Sequence, residues 1–167
     1  MARTLLTHGA EAMIGTEVSY TSPEPLGRAL IRYFAMAVGD LNPVYLDETA
    51  ARRAGFDDVI APPTLVCETN QFAGVRPWDE SGYIGHVWDL GLEGCRLIRG
   101  ENRYRFEQPV HPTDVVTATW KLAELTEKTS GSGLAMLVVR SVCTYTNQNG
   151  SLLATNEDVV IHVEISA

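Results

Sequence analysis

Apolar residues recur along this chain at two spacings, and the switch between them divides it. Leu26, Leu30, Tyr33, Phe34 and Ala37 fall mostly three or four residues apart, which predicts a helix with one buried face. Ser22 stands where a side-chain oxygen can cap that helix, with Pro23 at its first position and Glu24 in its first turn. Gly39 can take the positive φ that ends it. Asp47 predicts the cap of a short second helix that runs from Glu48 to Arg53 and stops at Gly55. Thr64 predicts the cap of a third, with Leu65, Thr69, Phe72 and Ala73 on one side and Gly74 at its end. Residues 75–94 carry Pro77, Gly82, Gly85 and Gly91 without a period, so a loop is expected there, a candidate flap.

From Cys95 the period drops to two. Asn102, Tyr104 and Phe106 alternate with Glu101, Arg103 and Arg105, which predicts a half-buried strand whose polar face gathers Arg99, Arg103 and Arg105. Pro109 and Pro112 around His111, followed by Asp114, read as a turn. Val115 to Glu127 reads as a long strand, Lys128 to Gly133 as a hairpin loop, and Leu134 to Thr146 as a strand rich in β-branched residues. Asn149-Gly150 is a strong hairpin signal, and Ser151 to Ile165 returns as the last strand. Tight turns between consecutive strands imply an antiparallel sheet. A sheet this long needs apolar cover, and the third helix is the candidate to supply it.

Composition narrows the picture further. At 167 residues and 45% hydrophobic, the chain suits one domain spanning 1–167 around one core, an α+β architecture. The net charge of −8 argues against nucleic acid and anionic membranes as partners, because no basic surplus is present to meet phosphates. Cys67, Cys95 and Cys143 are odd in number, widely spaced and set among apolar neighbours, so they read as reduced core residues and not as a disulfide framework or a zinc site. No apolar stretch reaches membrane-spanning length and the opening MARTLLTHGAEAM has no apolar signal core, so a cytoplasmic address is expected.

The most suggestive chemistry lies at the exit of the first helix, in Gly39-Asp40-Leu41-Asn42-Pro43-Val44-Tyr45. Pro43 forbids the helix to resume and holds Asn42 extended, which sets Asp40 and Asn42 on a stiff turn. Taken alone, Asp-x-Asn-Pro is ordinary turn chemistry, since both side chains readily bond their own backbone. Its surroundings shift that balance. A short helix follows, then Ile60-Ala61-Pro62-Pro63-Thr64 opening another helix, then strands.

In this order the stretches FAMAVGDLNPVYLDETAARRAG, IAPPT, IRGENRYRFEQPVHPTDVVTATW and YTNQNGSLLA resemble the MaoC-like hydratases and dehydratases, in the branch called the FAS1-like dehydratase or MaoC N-terminal domain. The resemblance covers nearly the whole chain. It implies a hot-dog fold, in which a long antiparallel sheet wraps a central helix, and an acyl thioester as ligand, carried on coenzyme A or an acyl carrier protein, with no other cofactor. It also implies a site at a dimer interface. In catalytic members the helix exit reads G-D-x-N-P-x-H, which carries over to Asp40, Asn42 and Pro43, with the histidine falling on Tyr45. That departure matters: an imidazole takes and gives protons at neutral pH, whereas a phenol with a pKa of ~10 mostly donates.

Hydration of an enoyl thioester needs an acceptor to direct water at Cβ, an acid to protonate Cα, and donors for the charge that develops on the thioester oxygen. The resemblance assigns the first to Asp40, helped by Asn42, and leaves Tyr45 as the acid. The helix opening after Pro63 is a source of the third through the Thr64 or Leu65 amide, Pro63 having no N–H; the plainer reading is that Pro62-Pro63-Thr64 simply starts a helix. His86 is the nearest candidate for the missing imidazole, ahead of His111, His162 and His8, the last in an N-terminus expected to fray, although a surface-loop role explains His86 more simply. Phosphates of a coenzyme would meet Arg99 and Arg103, with Arg96, Arg105, Arg52 and Arg53 behind them; a solvated, salt-bridged face explains the same row. Two functions follow. The chain is a hydro-lyase, an enoyl-thioester hydratase or 3-hydroxyacyl dehydratase, as a homodimer. Alternatively it is a non-catalytic acyl-binding subunit, paired with a MaoC-like chain that keeps the complete Asp and His motif. A thioesterase is a weaker third.

Overall fold

A computed structural model describes residues 4–68 and 85–165. Its frame is a five-stranded, wholly antiparallel sheet of β1 (Glu17–Thr21), β2 (Cys95–Phe106), β3 (Thr117–Thr129), β4 (Ala135–Thr146) and β5 (Leu152–Glu164), in the order β1-β3-β4-β5-β2. The last three lie within two residues of the spans expected from alternation, and Gly150 takes φ 77° in the turn that joins β4 to β5. Along β4 the inward side chains are Ala135, Leu137, Val139, Ser141, Cys143 and Tyr145, with the alternate residues half exposed, so one face of the sheet carries the core.

Among the described residues five helical pieces accompany the sheet: α1 (His8–Ala12), α2 (Gly27–Val38), α3 (Pro43–Leu46), α4 (Glu48–Arg53) and α5 (Leu65–Glu68). On α5, Leu65 and Val66 are fully buried and Cys67 nearly so, within one cluster that includes Leu122, Leu137, Val139 and Leu153. The expected continuation of this third helix to Gly74, and the first part of the expected flap, lie outside the described residues. From 85 to 94 the chain carries no regular element.

Four expectations need correction. The first helix does not start from a Ser22 cap. Ser22, Leu26 and Gly27 donate their N–H groups to Val116, Asp114 and Pro112, so this stretch prolongs the pairing of β1 with β3 and the helix opens only at Gly27. Its buried face is also rotated from the expected stripe. Ile31 and Ala35 are fully buried and Leu30 and Phe34 partly so, whereas Tyr33 is 68% exposed and Ala37 lies outside. The N-terminal segment around His8 is not frayed: Thr7 caps α1 by accepting from the Ala10 N–H at 3.1 Å, and the Leu5 and Leu6 N–H groups donate to the Glu127 carboxylate. β1 itself went unforeseen, although Val18 and Tyr20 alternate with Glu17, Ser19 and Thr21.

The fourth correction concerns β2. It is a strand, but from Ile98 to Phe106 it is exposed on both faces and not half-buried. Nor does Arg99 share a face with Arg103 and Arg105. An extra residue at Gly100 shifts the register, so that Arg99 stands opposite Val160 and Arg103 opposite Glu157. Those two β5 residues are an odd number of positions apart and therefore point to opposite sides of the sheet.

Candidate active site

The helix exit is built as its residues dictate. Gly39 takes φ 75° and closes α2 on the Ala35 and Met36 carbonyls. Asn42 sits at φ −56°, ψ 125°, and its Oδ1 accepts the Val44 N–H at 3.2 Å, capping the single turn α3 that Pro43 opens. Asp40 Oδ1 accepts the Asn42 N–H at 3.3 Å. Asp47 closes α3 and caps α4 through the Ala50 N–H at 2.7 Å. Both motif side chains thus stabilise their own turn, which leaves the second carboxylate oxygen of Asp40 to the solvent side of an exposed residue.

This turn delivers Tyr45 inward. Tyr45 is 9% exposed and lines a cleft of about 260 Å³ with Ile60, Ala61, Pro63, Val110 and the Phe106–Pro109 segment. The Ile60 N–H donates to the Val44 carbonyl and the Ala61 N–H to Val110 at 2.8 Å, so three separate stretches of chain are stitched into one wall. Arg28 braces the same wall from outside, meeting Asp58 and Glu48 at 2.9 Å each. Burial pushes the Tyr45 phenol above its ordinary pKa, and the Asp40 carboxylate adds to the rise. Tyr45 is therefore a proton donor at neutral pH, with a negative charge close by.

The other sequence candidates fall in different places. Pro63 lines the cleft with Tyr45, while Asp40 and Asn42 are not part of its lining. Thr64 is exposed beside Pro63; Leu65 is fully buried, and its N–H already donates to the Pro62 carbonyl at 2.9 Å. Arg99 and Arg103 lie on β2 outside the cleft lining, Arg103 pairing with Glu101 at 3.0 Å and Glu157 at 3.8 Å. His86 is bound elsewhere: its Nδ1 lies 2.7 Å from the Tyr20 hydroxyl on β1, with the Trp88 ring edge-on at 4.3 Å. His111 donates its backbone N–H to Asp114, and His162 sits half-buried on β5 with its pKa lowered by burial. Among the described residues no imidazole lines the cleft and no group of three His, Cys, Asp or Glu side chains could hold a metal. Sequence reasoning missed the walls supplied by Ile60, Phe106, Glu107, Gln108 and Val110. Their only signal was position, the two sides of the Ala61–Val110 hydrogen bond, which no local pattern announces.

Known proteins share this fold. The model of the FAS1-like, dehydratase domain region matches residues 12–156. A UPF0336 protein of Streptomyces avermitilis is 37% identical over 109 residues, 65% of this chain and 68% of that one. The ChsH1-ChsH2 complex from Mycobacterium tuberculosis superposes with a TM-score of 0.75 at 18% identity, over 95% of this chain and 92% of its counterpart, a likeness of fold. The HadBC (3R-hydroxyacyl-ACP dehydratase) complex from the same organism gives a TM-score of 0.62 at 25% identity, over 89% of this chain and 96% of its counterpart. A hot-dog sheet around a buried helix, with the Gly39–Tyr45 exit delivering a side chain into a cleft beside it, identifies the chain as a member of the FAS1-like dehydratase family of MaoC-like proteins.

Proposed function

We propose that the chain is the acyl-binding half of a two-chain enzyme that hydrates 2-enoyl thioesters or dehydrates 3-hydroxyacyl thioesters. The observation that carries this reading is Tyr45. A phenol held protonated in the cleft stands where catalytic members of the family carry the imidazole that handles the water together with the aspartate, and no imidazole lines the cleft among the described residues. Such a site can bind and polarise through a donor, but it lacks a group that both accepts and returns a proton near neutrality. Asp40 and Asn42 then hold the turn and the approach of water, Pro63, Thr64 and Leu65 form the wall beside the thioester, and Arg99 and Arg103 are remote candidates for carrier phosphates. Two solved relatives are two-chain complexes, which supports the same reading.

The test follows the loss of crotonyl-CoA absorbance with the purified chain alone, with a MaoC-like chain that keeps the complete Asp and His motif, and with both. The expected result is turnover by the mixture beyond that of either chain, and none by this chain alone. Tyr45→His in the isolated chain is a second arm: turnover gained there would mean that the imidazole is its one missing group. A second reading, an autonomous hydro-lyase with Asp40 directing water and Tyr45 as acid, is favoured by the closeness of the two groups that the raised Tyr45 pKa records. Turnover by the wild-type chain alone, abolished by Asp40→Asn, would establish it and overturn the first.

A further inference from the structure

Of five buried polar or charged side chains among the described residues, three stand together on the inward face of β4 and β5: Ser141, Asn156 and Asp158. Opposite residues of an antiparallel pair share a face, and on β2 Asn102 stands opposite Asp158, Tyr104 opposite Asn156, and Phe106 opposite Ala154. The polar row therefore continues onto β2. Asn102, Tyr104 and Phe106 are exposed, and the Tyr104 ring stacks on Phe106 with centroids 5.9 Å apart. Phe106 also lines the cleft. One ledge thus runs from the cleft over two aromatic rings to Asn102, about 13 Å for four extended residues.

At the far end of this ledge an amide pair is only half made. Asn156 Nδ2 donates to Asn102 Oδ1 at 2.7 Å, and the Tyr104 hydroxyl donates to the same oxygen at 3.3 Å. The complementary bond, from Asn102 Nδ2 to Asn156 Oδ1, is not formed, and that oxygen is buried without a partner in a residue 2% exposed. A buried acceptor left unpaired costs stability. Exchanging oxygen and nitrogen in both carboxamides still leaves one unpaired donor facing one unpaired acceptor, so the argument does not depend on their assignment. A group that accepts from one amide and donates to the other closes the pair. A hydroxyl does this with one atom, whereas a ketone or an ether only accepts.

We propose that Asn102 and Asn156 form a subsite for a hydroxyl on the acyl chain, far from the thioester, so that the ligands are acyl thioesters with a hydroxylated tail. The proposal rests on the acyl-binding reading above and narrows its ligand. The carrier has to leave toward solvent, so the end that meets a group as buried as Asn156 is the tail. An extended tail of roughly ten carbons covers the ledge. Asn102 is the exposed half of the pair, and a hydroxyl arriving along the ledge meets it first.

Calorimetry on the isolated chain tests this with octanoyl-, decanoyl- and dodecanoyl-CoA, each beside its ω-hydroxy counterpart. At one of these lengths the hydroxylated form should bind about three- to tenfold more tightly, the worth of a net hydrogen bond. Asn156→Leu, which keeps the volume without the polar atoms, should erase that preference. Asn102→Ala should erase it too, at an exposed position where the fold tolerates the change, which circular dichroism checks. The readout is the ratio of the two affinities, because general damage moves both forms alike. Equal affinities at every length, binding of neither form, or a preference that survives Asn102→Ala overturns the proposal. Crotonyl-CoA is too short to reach Asn102, so the two readings fail separately: turnover in the two-chain mixture without a hydroxyl preference sinks this one alone, and a preference without turnover leaves it standing.

Discussion

Tyr45 is packed by its own turn against Ile60, Pro63 and Phe106, and its proton is the property on which the site's chemistry depends. Burial first and the Asp40 charge second disfavour the phenolate, so the folded chain holds this proton to a higher pH than the unfolded chain. The stability this contributes is whole below the unfolded value of ~10 and is lost as pH climbs through the folded one. Denaturant midpoints measured from pH 9 upward should therefore fall more steeply for the wild type than for Tyr45→Phe, and Asp40→Asn, which removes the smaller of the two causes, should make that fall shallower and end it at lower pH. Equal slopes for wild type and Tyr45→Phe would mean that the phenol is not held as described. At this scale the sequence was readable where chemistry is local. Asp40, Asn42 and Asp47 bond backbone groups within three residues, so their roles follow from spacing alone. The cleft walls at Phe106 and Val110 were not readable, since more than forty residues separate them from Ile60 and Ala61.

Among the elements, α4 and β3–β5 follow their patterns because each has its apolar residues on a face that meets the core. The start of α2 went otherwise. Ser22 and Pro23 make a sound local cap, but the N–H groups of Ser22, Leu26 and Gly27 find carbonyls in the 112–116 segment, and those long-range bonds take precedence. β2 shows a second kind of override. Its alternation is real, yet half-burial needs a layer on one side, and from Ile98 to Phe106 both faces are exposed. Gly100 decides which side its arginines occupy. A Cβ there would lie 2.9 Å from the Val159 carbonyl oxygen and 3.1 Å from Val159 Cγ1, closer than packed atoms approach. Gly100→Ala should destabilise the chain by about 1–3 kcal/mol, read as a lower urea midpoint. An unchanged midpoint would show that the bulge yields without cost.

For the whole molecule, one sheet face and one buried helix carry the core. Leu65 is fully buried in a cluster that also holds Leu122, Leu137 and Val139, so truncating it opens a void between helix and sheet. Leu65→Ala should cost about 2–5 kcal/mol. It should widen the disturbance to the cleft as well, since Pro63 stands two residues before it and lines that wall. The measurement is a pair: a urea midpoint for the fold, and acyl-thioester affinity in the two-chain mixture for the cleft. Lost stability with intact affinity would uncouple α5 from the site. Among the described residues no helix is long and apolar enough to cross a membrane.

The sequence by itself determined the antiparallel strands β3 to β5, their hairpins and the stiff turn at Asp40–Pro43, because each depends on periodicity, on Gly and Pro conformation, or on side chains that bond their own neighbours, while the family was legible only as a resemblance of whole stretches. Tertiary structure alone decided that Tyr45 faces a cleft, that His86 is tied to Tyr20 and not part of the cleft lining, that Arg99 and Arg103 point to opposite sides of β2, and that this strand is exposed on both faces from Ile98 to Phe106. Each of these depends on which distant backbone groups pair and on which surfaces remain after they have done so. Hydrogen bonds and contacts across tens of residues leave no mark on the local pattern of a chain.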